Sequence, residues 1–231
     1  MKTDFYGMEK VSLVDYEGYV VCTLFTNNCN FRCPFCHNSP LVFSNVDTPL
    51  DFNEIINYLE KRKNVLDGVC ITGGEPTLMS DLPEKLRKIK KTGLKIKLDT
   101  NGTNPKMLKA LIGEGLIDYV AMDIKNAPLK YSMTIGLNEY SLDNIKESMK
   151  ILVESNLDFE FRTTLVKEYH DDDAIKELAL FLKGANKLYL QHFVDRDTCI
   201  KRGLHEVPKE KALEYQSFLK NYINNVNLRG Y

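Results

Sequence analysis

Residues 19–38 read YVVCTLFTNNCNFRCPFCHN, in which a short apolar run passes directly into a loop that carries three cysteines. The first seven residues are all β-branched, aromatic or otherwise apolar, and one threonine is the β-branched residue with a hydroxyl. This run stops at a polar Thr-Asn-Asn stretch. Short runs of this kind with polar boundaries are typical of buried strands. The stretch therefore predicts a strand whose carboxyl end delivers three thiols to one loop.

The order of an apolar run followed by an amphipathic stretch recurs along the whole chain. Strands are predicted over roughly 19–25, 68–72, 94–100, 117–123, 158–165 and 187–193. Helices are predicted over roughly 51–62, 82–91, 105–113, 141–154, 171–183 and 209–224. Alternating strands and helices indicate an α/β protein with a parallel sheet and right-handed crossovers.

Local signals support several of the helix starts. Asp51 and Asp81 each precede a glutamate by three residues, which is the spacing of a capping box. Asn104 stands directly before Pro105, as a cap residue before a proline in the first turn would. We therefore expect these three residues to begin helices.

Six strand–helix units are fewer than the eight of a closed barrel. We expect a partial, open (β/α)6 TIM-like barrel, with a doubly wound open sheet as the alternative. The length of 231 residues suits one domain over 1–231, with a core over about 20–193 and a C-terminal helix over about 209–224.

Charge and hydropathy exclude several classes of function. With 31 Lys+Arg against 32 Asp+Glu, the chain lacks the basic excess that signals nucleic-acid or polyanion binding. No apolar run approaches the roughly 18–20 residues that span a bilayer, and the first residues lack the apolar segment of a signal peptide. We therefore expect a cytoplasmic protein without nucleic-acid or membrane partners, in a compartment where disulfides are rare.

Three thiolates within eight residues can hold a soft metal centre. A structural zinc takes four ligands, and His37 is sterically unfavourable as the fourth because it adjoins Cys36. An iron–sulfur cluster on three cysteines would leave one iron open to a substrate, whereas a zinc or disulfide knuckle is the structural alternative. Inert burial is expected for the other cysteines, Cys22, Cys70 and Cys199.

The loop resembles the radical S-adenosylmethionine (SAM) superfamily, whose signature has the spacing of Cys29, Cys33 and Cys36 with an aromatic residue at Phe35. The continuation through His37 and Asn38 resembles the branch that activates glycyl radical enzymes. This resemblance extends from about residue 20 to residue 193. It implies a [4Fe–4S] cluster on the three cysteines, with SAM bound to the open iron.

The same resemblance assigns further residues at the predicted strand ends, where parallel α/β folds place their ligands. The Gly-Gly-Glu-Pro segment resembles the SAM motif of the family, which implies SAM binding by Gly73, Gly74 and Glu75. A simple turn is the structural alternative for this segment, and an interior ion pair with arginine or lysine is the alternative for Glu75.

The DTNG and MDIK sequences after the third and fourth strands resemble motifs of pyruvate formate-lyase activating enzyme. The resemblance implies that Asp99, Thr100 and Asp123 hold a monovalent cation beside SAM, and that Lys125 is a catalytic residue facing SAM or a substrate peptide. Two carboxylates at adjacent strand ends would repel each other, so a cation or Lys125 between them is expected. An Asx turn is the structural alternative for DTNG.

Asn38, Arg162 and His192 match polar positions that contact SAM in the same family. For Arg162 the alternative is an ion pair with Glu160 or Glu75. For His192 the alternative is an ordinary histidine whose hydrogen bonds are satisfied at a strand end.

The resemblance implies an oxidoreductase that reductively cleaves SAM to a 5′-deoxyadenosyl radical and abstracts a hydrogen from a glycine of a partner enzyme. Segments 122–128, 131–136 and 191–193 look most like activators of anaerobic ribonucleoside-triphosphate reductase. Flavodoxin or ferredoxin would supply the electron. The alternatives are a pyruvate formate-lyase activating enzyme, a small-molecule enzyme such as 7-carboxy-7-deazaguanine synthase, and a zinc-binding scaffold.

Overall fold

A computed structural model describes residues 3–43 and 48–231. The strands are β1 Phe5–Ser12, β2 Val21–Thr26, β3 Gly68–Gly73, β4 Lys95–Thr100, β5 Tyr119–Asp123, β6 Asp158–Leu165, β7 Lys187–His192 and β8 Asn225–Arg229. The helices are α1 Ser39–Val42, α2 Phe52–Arg62, α3 Leu82–Lys90, α4 Pro105–Gly113, α5 Tyr131–Thr134, α6 Asp143–Glu154, α7 Asp172–Phe181 and α8 Lys209–Leu219. Every predicted strand and helix is present, which confirms the α/β class.

The eight strands follow one another in chain order within the sheet. β2 pairs in parallel with β3 and β3 with β4, while β6, β7 and β8 form a second parallel set. β1 runs antiparallel to β2. A doubly wound sheet reverses its strand order, so the sequential order disfavours that alternative.

The sequence missed β1 and β8, the first and last strands of the sheet. β1 contains Gly7 and the exposed pair Glu9 and Lys10, and therefore shows no alternation of apolar and polar residues. β8 is only five residues long and carries two asparagines. Predicted helix 209–224 ends at Leu219, because the chain turns there to enter β8.

The chain divides into two compact units. The first contains Met1–Asn30, Pro40–Ala121 and Asn144–Asp158, and the second contains Phe31–Ser39, Met122–Asp143 and Phe159–Tyr231. In each unit the strands supply fully buried apolar side chains, such as Leu24 and Ile71 in the first and Leu188 and Leu190 in the second. The expectation of one domain over the whole chain stays a prediction.

Two of the three expected helix caps are confirmed. Asp51 accepts a hydrogen bond from the amide of Asn53 at 2.8 Å, and Asn104 accepts one from the amide of Met107 at 3.2 Å. Asp81 makes no side-chain cap, and its carboxylate lies 3.6 Å from the ammonium of Lys85 instead. Within residues 3–43 and 48–231, no helix has the length and apolar character needed to cross a membrane.

Candidate functional site

The predicted site residues occur in both compact units. The first unit contains Cys29, Gly73, Gly74, Glu75, Asp99 and Thr100. The second contains Cys33, Phe35, Cys36, Asn38, Asp123, Lys125, Arg162 and His192.

The two glycines after β3 lie against the backbone that leads into the cysteine loop. Gly73 has a φ of 111°, and a Cβ there would be 2.5 Å from the backbone nitrogen and oxygen of Thr26. A Cβ on Gly74 would be 1.9 Å from the carbonyl oxygen of Asn28. The amides of Gly74 and Glu75 donate to Thr26 and Asn28, both at 2.8 Å. Glycine is therefore required here for close packing of this chain on itself.

Glu75 is 1% exposed, and both of its carboxylate oxygens accept hydrogen bonds. Oε1 accepts from the amide and hydroxyl of Thr77 at 3.1 and 2.5 Å and from the hydroxyl of Thr100 at 2.7 Å. Oε2 accepts from the amide of Asn101 at 2.6 Å. Burial raises the pKa of Glu75, while these donors act to lower it. Hydroxyls and backbone amides hold this carboxylate, in place of the ion pair with arginine or lysine that was the alternative for Glu75. These hydrogen bonds tie the end of β3 to the end of β4.

Asn101 connects the end of β4 to the first cysteine, a role that the sequence analysis did not assign. Its side-chain nitrogen Nδ2 lies 3.8 Å from Cys29 Sγ and donates to Asn30 Oδ1 at 2.9 Å. Asn30 in turn donates to the hydroxyl of Thr103 at 2.9 Å. Asn101 Oδ1 also accepts from the backbone amide of Thr103 at 3.1 Å. This is an Asx turn, the structural alternative given for the DTNG segment.

Asp99 has a cationic partner from its own strand. Lys97, two residues earlier and on the same face of β4, donates to Asp99 Oδ1. The side chain of Lys97 is 5% exposed, and its nitrogen lies 3.8 Å from Cys70 Sγ. The hydroxyl of Thr72 donates to Asp99 Oδ2 at 3.2 Å. Lys97 was not among the predicted site residues, although its spacing of two from Asp99 on a strand was the available signal.

In the second unit, Cys33 and Cys36 share a tight turn, in which the amide of Cys36 donates to the carbonyl of Cys33 at 2.9 Å. Phe35 is 6% exposed. Its ring centroid lies 6.0 Å from that of Tyr169 and 6.3 Å from that of Phe193. Aromatic packing thus anchors the turn that presents these two thiols.

The segment after β7 braces the same turn. His37 Nε2 lies 2.7 Å from the carbonyl oxygen of Val194, and the amide of Lys201 donates to the carbonyl of Pro34 at 2.8 Å. Cys199 Sγ lies 4.0 Å from the carbonyl oxygen of Phe35. Cys199 is buried, as expected, but it is buried against the cysteine loop.

Asp123, Lys125 and Arg162 form a partly buried ion triad. Lys125 Nζ lies 2.9 Å from Asp123 Oδ2, and Arg162 Nε lies 2.8 Å from Asp123 Oδ1. Burial disfavours the charge on Asp123, but Arg162 and Lys125 prevail and lower its pKa to about 2. Burial likewise opposes the charge on Lys125, whose pKa is nevertheless raised, chiefly by Asp123. The resulting lysine is a fixed ammonium.

The triad predicts a specific loss of stability in acid. The pKa of Asp123 in the folded protein, about 2, lies below the unfolded value of about 3.9. The stabilisation, about 2 kcal/mol, is therefore present above pH 4 and is lost as the pH falls toward 2. Urea unfolding at a series of pH values should show a smaller acid-induced loss in Asp123→Asn than in the wild type. Asp197→Asn, at a side chain that is 97% exposed, should retain the wild-type profile. Equal pH profiles in all three proteins would contradict this assignment.

The last two predicted residues occupy different surroundings. His192, at the end of β7, places Nε2 on the carboxylate of Glu206, and its ring centroid lies 4.8 Å from that of Tyr231. This geometry matches the alternative of a satisfied histidine, and SAM binding by His192 stays a prediction. Asn38 lies in the turn before α1.

The chemistry of the donor set fits a soft metal centre. None of the six cysteines forms a disulfide, so the disulfide alternative for the loop is not formed, and Cys29 and Cys36 are partly exposed. Across the part of the chain that the structure describes, no three cysteine, histidine or acidic side chains are already gathered as a metal site. The fit therefore rests on three thiols on one short loop, none of them in a disulfide.

Comparisons with known proteins agree with this donor set. Residues 23–181 match the family profile described as Radical SAM superfamily. An inferred glycyl-radical enzyme activating enzyme of Methanocaldococcus jannaschii is 32% identical over 235 residues, which cover 99% of this chain and 97% of the relative. A 7-carboxy-7-deazaguanine synthase of Thermoplasma acidophilum is 26% identical over 159 residues, which cover 67% of this chain and 70% of that protein.

The fold has solved counterparts. A radical SAM methyltransferase from Sphaerobacter thermophilus matches with a TM-score of 0.71 at 17% sequence identity, over 93% of this chain and 68% of that one. At this identity the likeness is one of fold, and it confirms the predicted fold class.

Proposed function

The chain belongs to the radical SAM superfamily, and on that premise we propose that it activates a glycyl radical enzyme. The observation that carries the proposal is the similarity to the Methanocaldococcus jannaschii relative over nearly the full length of both chains. The Cys36-His37-Asn38 sequence supports the same branch.

Cys29, Cys33 and Cys36 would hold a [4Fe–4S] cluster, and SAM would bind beside it near Gly73, Gly74 and the end of β4. When bound, the cluster and SAM supply the hard chemistry, which is reductive cleavage to a 5′-deoxyadenosyl radical. The protein supplies binding and orientation. Phe35 anchors the turn between two of the thiols, and Asn101 orients Cys29 from the end of β4.

Two polar groups would organise the substrate side. Glu75 joins the ends of β3 and β4 and thereby sets the backbone around the SAM position. The triad of Asp123, Lys125 and Arg162 holds a fixed ammonium, which we assign to SAM or to the substrate peptide. Lys125 is the catalytic candidate because its charge is locked by Asp123. Asn38 and His192 remain candidate SAM contacts.

The proposed protein substrate is anaerobic ribonucleoside-triphosphate reductase, with pyruvate formate-lyase as the second choice. A glycine is a suitable hydrogen donor because it has no Cβ, so the resulting radical can flatten between the neighbouring amide and carbonyl groups. Flavodoxin or ferredoxin would deliver the electron.

Electron paramagnetic resonance on the partner protein tests this function. The reconstituted enzyme, SAM, dithionite and the reductase are mixed without oxygen, and the reductase should gain a doublet signal. The splitting should collapse when the reductase contains α-deuterated glycine, because the coupling arises from the remaining α-hydrogen.

The small-molecule alternative has its own support in the Thermoplasma acidophilum relative. Consumption of 6-carboxytetrahydropterin with SAM, without a radical on any protein, would contradict the activating function and favour a deazaguanine synthase. A colourless protein that contains zinc and no iron after anaerobic purification would contradict both the activating function and the deazaguanine synthase function.

A further inference from the structure

The residues expected to bind a monovalent cation already have donors from this chain. Asp99 is the clearest case. Its Oδ1 accepts from the ammonium of Lys97, and its Oδ2 accepts from the hydroxyl of Thr72 at 3.2 Å. Lys97 and Asp99 are both largely buried, with side chains 5% and 14% exposed. Both oxygens of this carboxylate therefore already accept a hydrogen bond from this chain, and one of the two donors is an ammonium.

The other two candidate ligands are engaged as well. The hydroxyl of Thr100 donates to Glu75 at 2.7 Å and accepts from the amide of Gly102 at 3.1 Å. In the second unit, one oxygen of Asp123 accepts from Arg162 at 2.8 Å and the other from Lys125 at 2.9 Å. Each carboxylate thus has a positive charge of its own chain, and the donor set does not fit a metal cation.

We propose that the ammonium of Lys97, held against Asp99, supplies the positive charge that the family resemblance assigns to a monovalent cation, and that SAM binding by this chain is independent of potassium and sodium. The inference rests on the proposed function, because it concerns the SAM side of that same site. A lysine and a potassium ion carry the same unit charge, and an ammonium has three donors, of which Asp99 uses one. A second cation beside Asp99 would face Lys97 at short range and be repelled by it.

The test is equilibrium dialysis of labelled SAM against the reconstituted, oxidised protein, which measures binding without turnover. It is run in potassium, sodium and choline chloride at equal ionic strength. Wild-type affinities should agree within about twofold, because screening is equal in the three salts. In Lys97→Met, affinity in choline should fall by about tenfold, within the range typical of coupled sites, and should recover in potassium or sodium. A purely structural ion pair would not create such a salt-specific dependence.

Two variants serve as controls. Lys97→Arg keeps the positive charge, so its SAM affinity should be the same in potassium, sodium and choline chloride. This variant tests the inference even if Lys97→Met fails to fold. Lys95→Met removes an exposed lysine on the same face of β4, which contacts Tyr19, and should bind SAM as the wild type does.

Three results would overturn the inference. One is wild-type affinity about tenfold weaker in choline than in potassium, which would show coupling to a bound cation. Another is a Lys97→Met protein that binds SAM as tightly in choline as the wild type. Absence of SAM binding by the wild type in every salt would overturn the proposed function and this inference with it, so the two failures are distinguishable.

Discussion

Replacement of any one of Cys29, Cys33 or Cys36 by alanine is expected to abolish reductive cleavage of SAM and to reduce the bound iron severely. Three thiolates are the minimum proposed for the cluster, so the loss of one leaves no substitute ligand. Iron content and sulfide content after anaerobic reconstitution measure the loss of bound iron. Formation of methionine and 5′-deoxyadenosine with dithionite measures the loss of SAM cleavage.

Cys22→Ala is the matched control for these variants. Cys22 is a free thiol within β2, ahead of the loop and outside its cysteine spacing. Its side chain is 0% exposed, whereas Cys29 and Cys36 are partly exposed, so its replacement should leave the cluster ligands in place. Retention of a full cluster by Cys29→Ala together with its loss in Cys22→Ala would show that the ligand assignment is wrong.

Glu75→Ala is expected to lower the free energy of unfolding by about 3–5 kcal/mol, because each buried donor left without an acceptor costs about 1–3 kcal/mol. The donors concerned belong to Thr77, Thr100 and Asn101. SAM binding should weaken in parallel, since the ends of β3 and β4 would lose their common anchor. Urea unfolding and equilibrium dialysis of SAM provide the two measurements.

Glu75→Gln should cost less than Glu75→Ala. The amide oxygen can still accept from the backbone amide of Asn101, and the NH2 group can donate to the hydroxyls of Thr77 and Thr100, so only the backbone amide of Thr77 loses its acceptor. Glu84→Ala, at an exposed position of α3, is the control and should change the unfolding free energy little. Equal stabilities for Glu75→Ala and Glu84→Ala would contradict the anchoring role.

Much of the fold was predictable because its signals are local. Apolar runs such as 68–72 predicted β3 within a residue, and Asn104 before Pro105 predicted the start of α4. The cysteine spacing and the Gly-Gly-Glu-Pro segment likewise identified the superfamily, since each motif lies within a few consecutive residues. β1 and β8 were not predicted from the sequence. Each is the outermost strand of the sheet at its end, buries less of its surface than an inner strand, and shows a weaker alternation of apolar and polar residues.

The composition of the site was predictable only in part. The sequence alone determined which residues are the candidates for the chemistry, because the thiols of Cys29, Cys33 and Cys36 and the strand-end carboxylates are distinctive residue types at distinctive spacings. Only the tertiary structure decided their partners. The order of residues contains no direct information on which donors reach Glu75 or which amide faces Cys29, and for Asp99 the spacing of two along β4 was the one signal that pointed to Lys97. The first two pairings depend on how neighbouring strand ends meet, and burial makes Lys97 the counterion of the largely buried Asp99.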